Sequence, residues 1–349
     1  MSMLDFLQQM QANPMLLVST VLTLGVILVN GWTDAPNAIA TCVVTRAITP
    51  GKAILMAAVC NFLGVFVMTA VNASVAMTIY NIADFGGNAQ HSLIALCAAM
   101  TAIVIWATAA WFFGIPTSES HALIAGISGA AVAIHGSFSG INPAEWVKVL
   151  YGIVLSTLLG FALGFLSSKL TVLIFRNQNR LSAGRFFSGA QVAGGAAMAF
   201  MHGAQDGQKF MAIFLLGAAF ANGEGNMSSF TVPIWLMVLC SAVMGLGTSI
   251  GGTKIIKSVG RDMVRLKPYQ GFAADVAATA CLLLSSLTGI PVSTTHTKTT
   301  AIMGVGAAKS VKNVNWSIVK DLVLTWVCTF PGCGLLGFAL AKLFLYLFS

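Results

Sequence analysis

The chain has 349 residues, of which 57% are hydrophobic and only 8% charged, with a mean hydropathy of +0.86. Soluble domains carry about 25% charged residues, so this composition excludes a water-soluble protein and points to an all-α, polytopic membrane protein. The net charge of +8 does not signal nucleic acid, because the basic residues gather in short loops between apolar runs. Seven cysteines scattered through apolar segments, with no C-x-x-C pair, give no zinc site or disulfide framework.

Residues 1–14 read as a short amphipathic lead-in, without the basic start of a cleaved leader. A membrane span needs about 20 apolar residues. Ten segments are candidates: 15–45, 53–79, 91–113, 118–135, 146–174, 188–202 continuing through 207–222, 231–253, 270–288, 293–308 and 316–347. The first and sixth carry polar stretches and are predicted to break there. The fourth and ninth are short and open on polar turns, so crossing and re-entrant forms both stay open. If the N-terminus lies outside and all ten cross, the inside loops hold twelve of the 18 basic residues and the outside loops only Lys148. That asymmetry predicts a multi-pass plasma-membrane (cell inner membrane) protein with both termini outside. The basic loop 254–269 reads as topogenic, with anionic-lipid contact as the alternative.

The chain also repeats. Gly31-x-x-Asp34 returns as Gly203-x-x-Asp206, and Gly114-Ile-Pro-Thr-Ser-Glu-Ser-His121 as Gly289-Ile-Pro-Val-Ser-Thr-Thr-His296. Gly129 matches Gly304, and Gly160-Phe-Ala-Leu returns as Gly337-Phe-Ala-Leu, the four lags being 172, 175, 175 and 177. This predicts two repeats of five segments, 15–174 and 188–349, joined by a basic cytoplasmic linker at 175–187. An odd number of crossings per repeat makes the two inverted, a pattern of secondary transporters.

Two kinds of polar break stand in these repeats. Asp34 and Asp206 sit deep in apolar segments, where an ionisable group is functional by default. Each either meets a coupling cation or has a structural role, as a cap or as the partner of Lys209. Asn37 stands at the place equivalent to Lys209 and adds an amide oxygen suited to a hard cation. The hydroxyl turns at 116–121 and 291–296 put Ser and Thr at helix starts, where free amides and the positive dipole end attract an anion; ordinary N-capping is the plainer alternative. Glu119 has no acidic counterpart and reads as a proton carrier, a cation ligand or a capping acid. His121 and His296 pair by repeat, as hydrogen-bonding partners of the turns or as anion contacts. Asp275 and Lys298 lie in apolar blocks as candidates for an ion path. No P-loop, G-x-S-x-G or H-E-x-x-H is present, so no enzyme is expected.

At these residues the chain resembles the inorganic phosphate transporter (PiT) family. Gly31-Trp-Thr-Asp-Ala-Pro-Asn-Ala38 is similar to its G-x-N-D-x-x-N-A motif, and His202-Gly-Ala-Gln-Asp-Gly-Gln-Lys209 to the second copy, H-G-x-N-D-x-x-K. Gly289–His296 is similar to its G-x-P-x-S-T-T-H turn, and Gly271-Phe-Ala-Ala-Asp275 to a stretch that usually ends in Glu. The resemblance implies a symporter for inorganic phosphate driven by Na⁺ or H⁺, with a sulfate or other oxyanion permease, or an anion channel, as alternatives. By that resemblance Asp34, Asn37 and Asp206 serve the coupling cation and are the ligands if it is Na⁺, with Asp275 joining them. Thr117, Ser118, Ser120, Ser293, Thr294 and Thr295 serve phosphate, while Lys209, His121, His296 and Glu119 make ion pairs or anion contacts. The chain departs from the motifs at Thr33, Gln205 and Asp275. The expected partners are phosphate and membrane lipid, with no nucleic acid, no cofactor beyond the coupling ion, and a homodimer left open.

Overall fold

A computed structural model describes residues 2–86, 88–113, 117–223, 231–250, 256–257 and 262–349. The described chain is helical, and its only β pairing is two isolated bridges, Ala83 with Ile141 and Val264 with Val314. The lead-in forms α1 (Met3–Ala12), started by a reciprocal Ser2–Asp5 capping box. The first segment forms α2 (Pro14–Thr33) and α3 (Pro36–Val44), broken at Asp34–Ala35 as predicted. Pro36 has no N–H and its ring would clash with the carbonyl four residues earlier. The chain reseats through Asp34 N–H to Asn30 O at 2.9 Å and Asn37 N–H to Asp34 O at 3.0 Å.

The first half continues with α4 (Pro50–Val71), the short α5 (Ser74–Tyr80), α6 (Ala89–Phe112), α7 (Glu119–His135), α8 (Pro143–Val154), a π turn at Leu155–Leu159, and α9 (Gly160–Phe175). The second half holds α10 (Arg180–Ala221), α11 (Ile234–Ile250), α12 (Pro268–Leu287), α13 (Thr294–Lys309) and α14 (Trp316–Phe348). Arg180 and Arg185 of the predicted linker lie in the first turns of α10.

One expectation needs correction. The sixth segment does not break at 202–207: α10 is one unbroken helix of 42 residues with Asp206 inside it. The second motif has no proline, and its glycine serves close approach instead of a break. A Cβ on Gly203 would lie 2.3 Å from Asn61 O on α4. The ten candidate segments differ in length and polarity. Among the described residues six helices are long and apolar enough to cross a membrane: Pro14–Val44, Pro50–Val71, Ala89–Phe112, Pro143–Phe175, Pro268–Leu287 and Trp316–Phe348. Of the rest, α10 is too polar, α7 and α13 have 17 and 16 residues, and the described part of α11 has 17.

The outer surface is a lipid-facing belt that includes Leu55, Val71, Leu324, Val327 and Leu335, each at least 60% exposed. Lipid is as apolar as these side chains, so helix association rests on close packing of small residues and on buried hydrogen bonds. The tightest seams cross between the halves. Short α7 packs most extensively on α14, and short α13 on α9; α10 packs on α4, and α2 on α11. A Cβ on Gly129 would lie 2.0 Å from Gly334 O, and one on Gly304 would lie 2.1 Å from Phe161 O. Gly337 meets Gly126 O as Gly164 meets Ala301 O. In packing, then, Gly337 corresponds to Gly164 and not to Gly160, one turn away from the sequence match; α9 carries a glycine at both places. Gly129→Ala and Gly304→Ala are each expected to cost about 1–3 kcal/mol, the range for overpacking a tight seam. The check is a lowered thermal midpoint of the purified protein in detergent.

Candidate functional site

Each carboxylate of the site is placed by its own helix. Asp34 hangs in the α2–α3 break and Asp206 projects from mid-α10; both are 1% exposed. The starts of α7 and α13 converge on them. Ser118 and Ser293 are the N-caps, accepting from His121 N–H at 3.3 Å and from His296 N–H at 3.1 Å. The two histidine rings meet edge to face at 4.5 Å, with His121 against Phe330 and His296 against Trp326 of α14. Gly114, Ile115 and Pro116 of the first hydroxyl turn lie outside the described residues, as do Lys254 and Arg261 of the basic loop.

The hydroxyls of these turns reach the carboxylates. Thr294 Oγ1 lies 3.3 Å from both Asp34 Oδ2 and Asp206 Oδ2. Thr295 donates its hydroxyl to Asp34, and Asn37 donates to Asp34 Oδ1 at 2.8 Å and to Thr295 Oγ1 at 2.9 Å. On the α7 side Ser120 Oγ donates to Asp206 Oδ1 at 3.3 Å. Lys209, fully buried, spends its three N–H donors on Asp206 Oδ1 (2.8 Å), Ser120 Oγ (2.6 Å) and Val292 O (2.7 Å). It is therefore the ion-pair partner of Asp206, with no donor left for a ligand in this arrangement.

Two further residues belong to the cluster. Asn30 donates to Asp206 Oδ2 at 3.2 Å, and His202 Nε2 lies 3.3 Å from the same oxygen while its Nδ1 meets Asn61 Oδ1 at 3.0 Å. Sequence did hold a signal for both: each stands one helical turn before its aspartate, at equivalent places in the repeat. Ligand atoms of Asp34, His202 and Asp206 all lie within 4.8 Å of one another. Asn30 Oδ1 and Asn37 Oδ1 are buried with no hydrogen-bond partner among the described residues. Asp34, His202 and Asp206 thus offer ligand atoms close enough together to hold an ion, and their carboxylate oxygens suit a hard cation.

Other expected residues stand apart from this cluster. Asp275 pairs with Lys298 and accepts from Thr41 Oγ1 at 2.8 Å, a fully buried triad that shares no hydrogen bond with Asp34 or Asp206. Thr117 meets Thr329 of α14 at 3.1 Å. Glu119 is 1% exposed, within electrostatic range of Asp34 and Asp206, and neither of its carboxyl oxygens has a hydrogen-bond partner among the described residues. Gln205, where the motif usually has Asn, donates to Ser286 at 2.9 Å, and Thr33 donates to Val29 O at 2.7 Å, so neither reaches the carboxylates.

The profile of the phosphate transporter family matches residues 30–337, from the last turn of α2 to α14. This chain belongs to the phosphate transporter family. A Bacillus subtilis relative described as a probable low-affinity inorganic phosphate transporter is 37% identical over 309 residues, which covers 88% of this chain and 91% of the relative. A Rhizobium meliloti relative with the same description is 37% identical, covering 88% and 90% of the two chains. A solved structure titled "The sodium-dependent phosphate transporter" superposes with a TM-score of 0.87 at 22% identity, covering 96% of this chain and all of that one. At that identity the likeness speaks for the fold alone. The chain is thus a multi-pass membrane transporter of a phosphate-transporting family, and not an enzyme.

Proposed function

We propose that the chain carries inorganic phosphate by symport with Na⁺ or H⁺. Charge balance at the centre supports this most directly. One lysine stands beside the two aspartates, and its three donors go to Asp206, Ser120 and the Val292 carbonyl, none to Asp34. A phosphate anion arriving among Ser120, Thr294 and Thr295 adds negative charge beside two carboxylates in a site shut off from water. It is stable there only if a cation enters with it. In this reading the cation binds among Asp34, Asn37 and Asp206, with Asn30 and His202 completing the shell. Ser118, Ser293 and Thr117 hold the helix starts in place. Asp275 belongs to the path the ions take rather than to the central shell.

Neutral hydroxyl donors suit any tetrahedral oxyanion, which keeps a sulfate permease as the second reading. Sodium is named for the protein that shares the fold; here the choice between Na⁺ and H⁺ is put to the gradients. The test is uptake of labelled phosphate into proteoliposomes with Na⁺ and pH gradients imposed separately and sulfate added in excess. Uptake should follow one gradient and resist sulfate. Uptake that ignores both gradients and tracks voltage alone would replace the symporter by a channel.

The proposed topology is two inverted repeats, 15–174 and 188–349, with both termini outside and the basic linker at 175–187 inside. A cysteine placed at exposed Asp84 should then react with an impermeant thiol reagent from outside intact cells. Labelling only after the membrane is opened would reverse the orientation.

A further inference from the structure

A cleft of about 1,100 Å³ opens where α12 begins, α13 ends and α14 begins. Four cationic side chains from two separate stretches line it: Arg265 and Lys267 before α12, Lys309 at the end of α13 and Lys312 just after it. Asp262 is the one acid among the described residues of its wall. None of the four cations makes an ion pair with a described residue. The backbone beneath is fixed by the Val264–Val314 bridge and by Asn315 N–H donating to Met263 O at 3.0 Å. The pocket is therefore a formed feature with unneutralised charge, and not a set of loose surface lysines.

The fold supplies its own comparison. At the corresponding corner of the first half, the Ala83–Ile141 bridge and Asp84 N–H to Gly140 O (2.7 Å) build the same kind of turn pair. The cleft there is about 360 Å³, lined by Asp84 and Glu145 and, among the described residues, by no lysine or arginine. The corner can thus be built without cations, and the basic set is not a requirement of the backbone. Topogenic signalling asks only that basic residues lie near the ends of spans; it does not ask four of them to converge on one concavity.

Volume and place narrow the occupant. The cleft is many times larger than one phosphate ion. It lies where α12 and α14 begin, two helices long and apolar enough to cross a membrane, and the ends of such helices meet lipid headgroups. Trp316, 48% exposed, stands in its wall with the indole N–H donating to Val311 O at 3.0 Å. An amphipathic ring of this kind settles at the membrane–water interface, and juxtamembrane Lys and Arg bind anionic headgroups. We infer that this cleft holds the phosphate-bearing headgroup of an anionic phospholipid. Arg265 forks onto the phosphodiester and the three lysines supply point charges around it.

The test uses the purified full chain in detergent micelles of phosphatidylcholine, with and without phosphatidylglycerol, and reads the thermal midpoint. The partner variant is R265Q/K267Q/K309Q/K312Q; all four positions are exposed, and its midpoint in phosphatidylcholine alone should equal wild type. If it does not fold, K309Q/K312Q takes its place. Phosphatidylglycerol should raise the wild-type midpoint by several degrees, with the gain shrinking in high salt, and should raise the variant by less than half as much. An equal gain in both proteins, or no gain in wild type, overturns the inference. A third arm adds inorganic phosphate to phosphatidylcholine micelles. A phosphate gain that the variant keeps belongs to the central site and leaves the inference standing. A phosphate gain lost in the variant, with no effect of phosphatidylglycerol, makes the occupant the free ion and overturns the lipid assignment.

Discussion

Asp34→Asn should abolish gradient-driven phosphate uptake while the protein keeps close to its normal thermal stability. Asp34 makes no ion pair with a described residue; its partners are the hydroxyls of Thr294 and Thr295 and the Asn37 amide. An asparagine oxygen at the Oδ1 place still accepts from Thr295 and Asn37, and its NH2 at the Oδ2 place can donate to Thr294 Oγ1. What it loses is the charge that calls in the cation, and the cost to the fold is on the order of 1 kcal/mol. Asp206→Asn should behave differently, although the two aspartates match in the repeat. It strands Lys209, fully buried, without its counter-charge. Breaking a buried pair by removing one partner costs about 3–5 kcal/mol. Uptake should again vanish, but the melting midpoint of the detergent-purified protein should fall well below that of Asp34→Asn. Near-normal coupled uptake by Asp34→Asn would reduce that carboxylate to a structural part. Equal stability of the two variants would refute the division of labour.

The second large effect is expected at the Thr41–Asp275–Lys298 triad. Lys298→Met leaves Asp275 charged and unpaired between α3, α12 and α13, and should cost about 3–5 kcal/mol. Adding Asp275→Leu should recover most of that loss, since a buried ion pair replaced by apolar side chains of similar size is often neutral or stabilising. The double-mutant cycle in thermal midpoint measures this coupling. The same double variant decides the functional standing of Asp275. If it is stable and silent in uptake, the triad belongs to the ion path; if it is stable and transports normally, Asp275 is a structural partner of Lys298 and nothing more.

Much of this arrangement is legible in the residues. The α2 break could be read from Pro36 beside a lone aspartate, because proline's effect on a helix is local and steric. The meeting of the two hydroxyl turns could be read from their matching lag. The unbroken α10 could not: a glycine reads equally well as a breaker or as a seam, and only the Asn61 carbonyl facing Gly203 settles which. The engagement of Lys209 was hidden for a similar reason, since one of its three acceptors is the Val292 carbonyl of a distant turn. Asn30 and His202 carried a signal, one helical turn before each aspartate, but Asn30's partner Asp206 and His202's partner Asn61 lie across helices that the sequence does not pair. The register of α9 against α14 slipped by a turn because Gly160 and Gly164 both offered a match.

The crossed seams have a consequence for how the protein is made. Gly129 of α7 rests on Gly334 of α14, and 205 residues separate them. At a synthesis rate of about 5–20 residues per second, α7 leaves the ribosome roughly 10–40 s before its partner exists. For that interval its glycine-lined face has only lipid, the insertion machinery or a chaperone to meet, even though the start of α7 finds Asp206 and Lys209 once α10 is made. The first half therefore cannot reach its final packing alone, and assembly is a late event completed by the arrival of α14. A ribosome that stops before Trp316 leaves in the bilayer a chain whose close-packing glycine seam is unclaimed, a natural mark for membrane quality control.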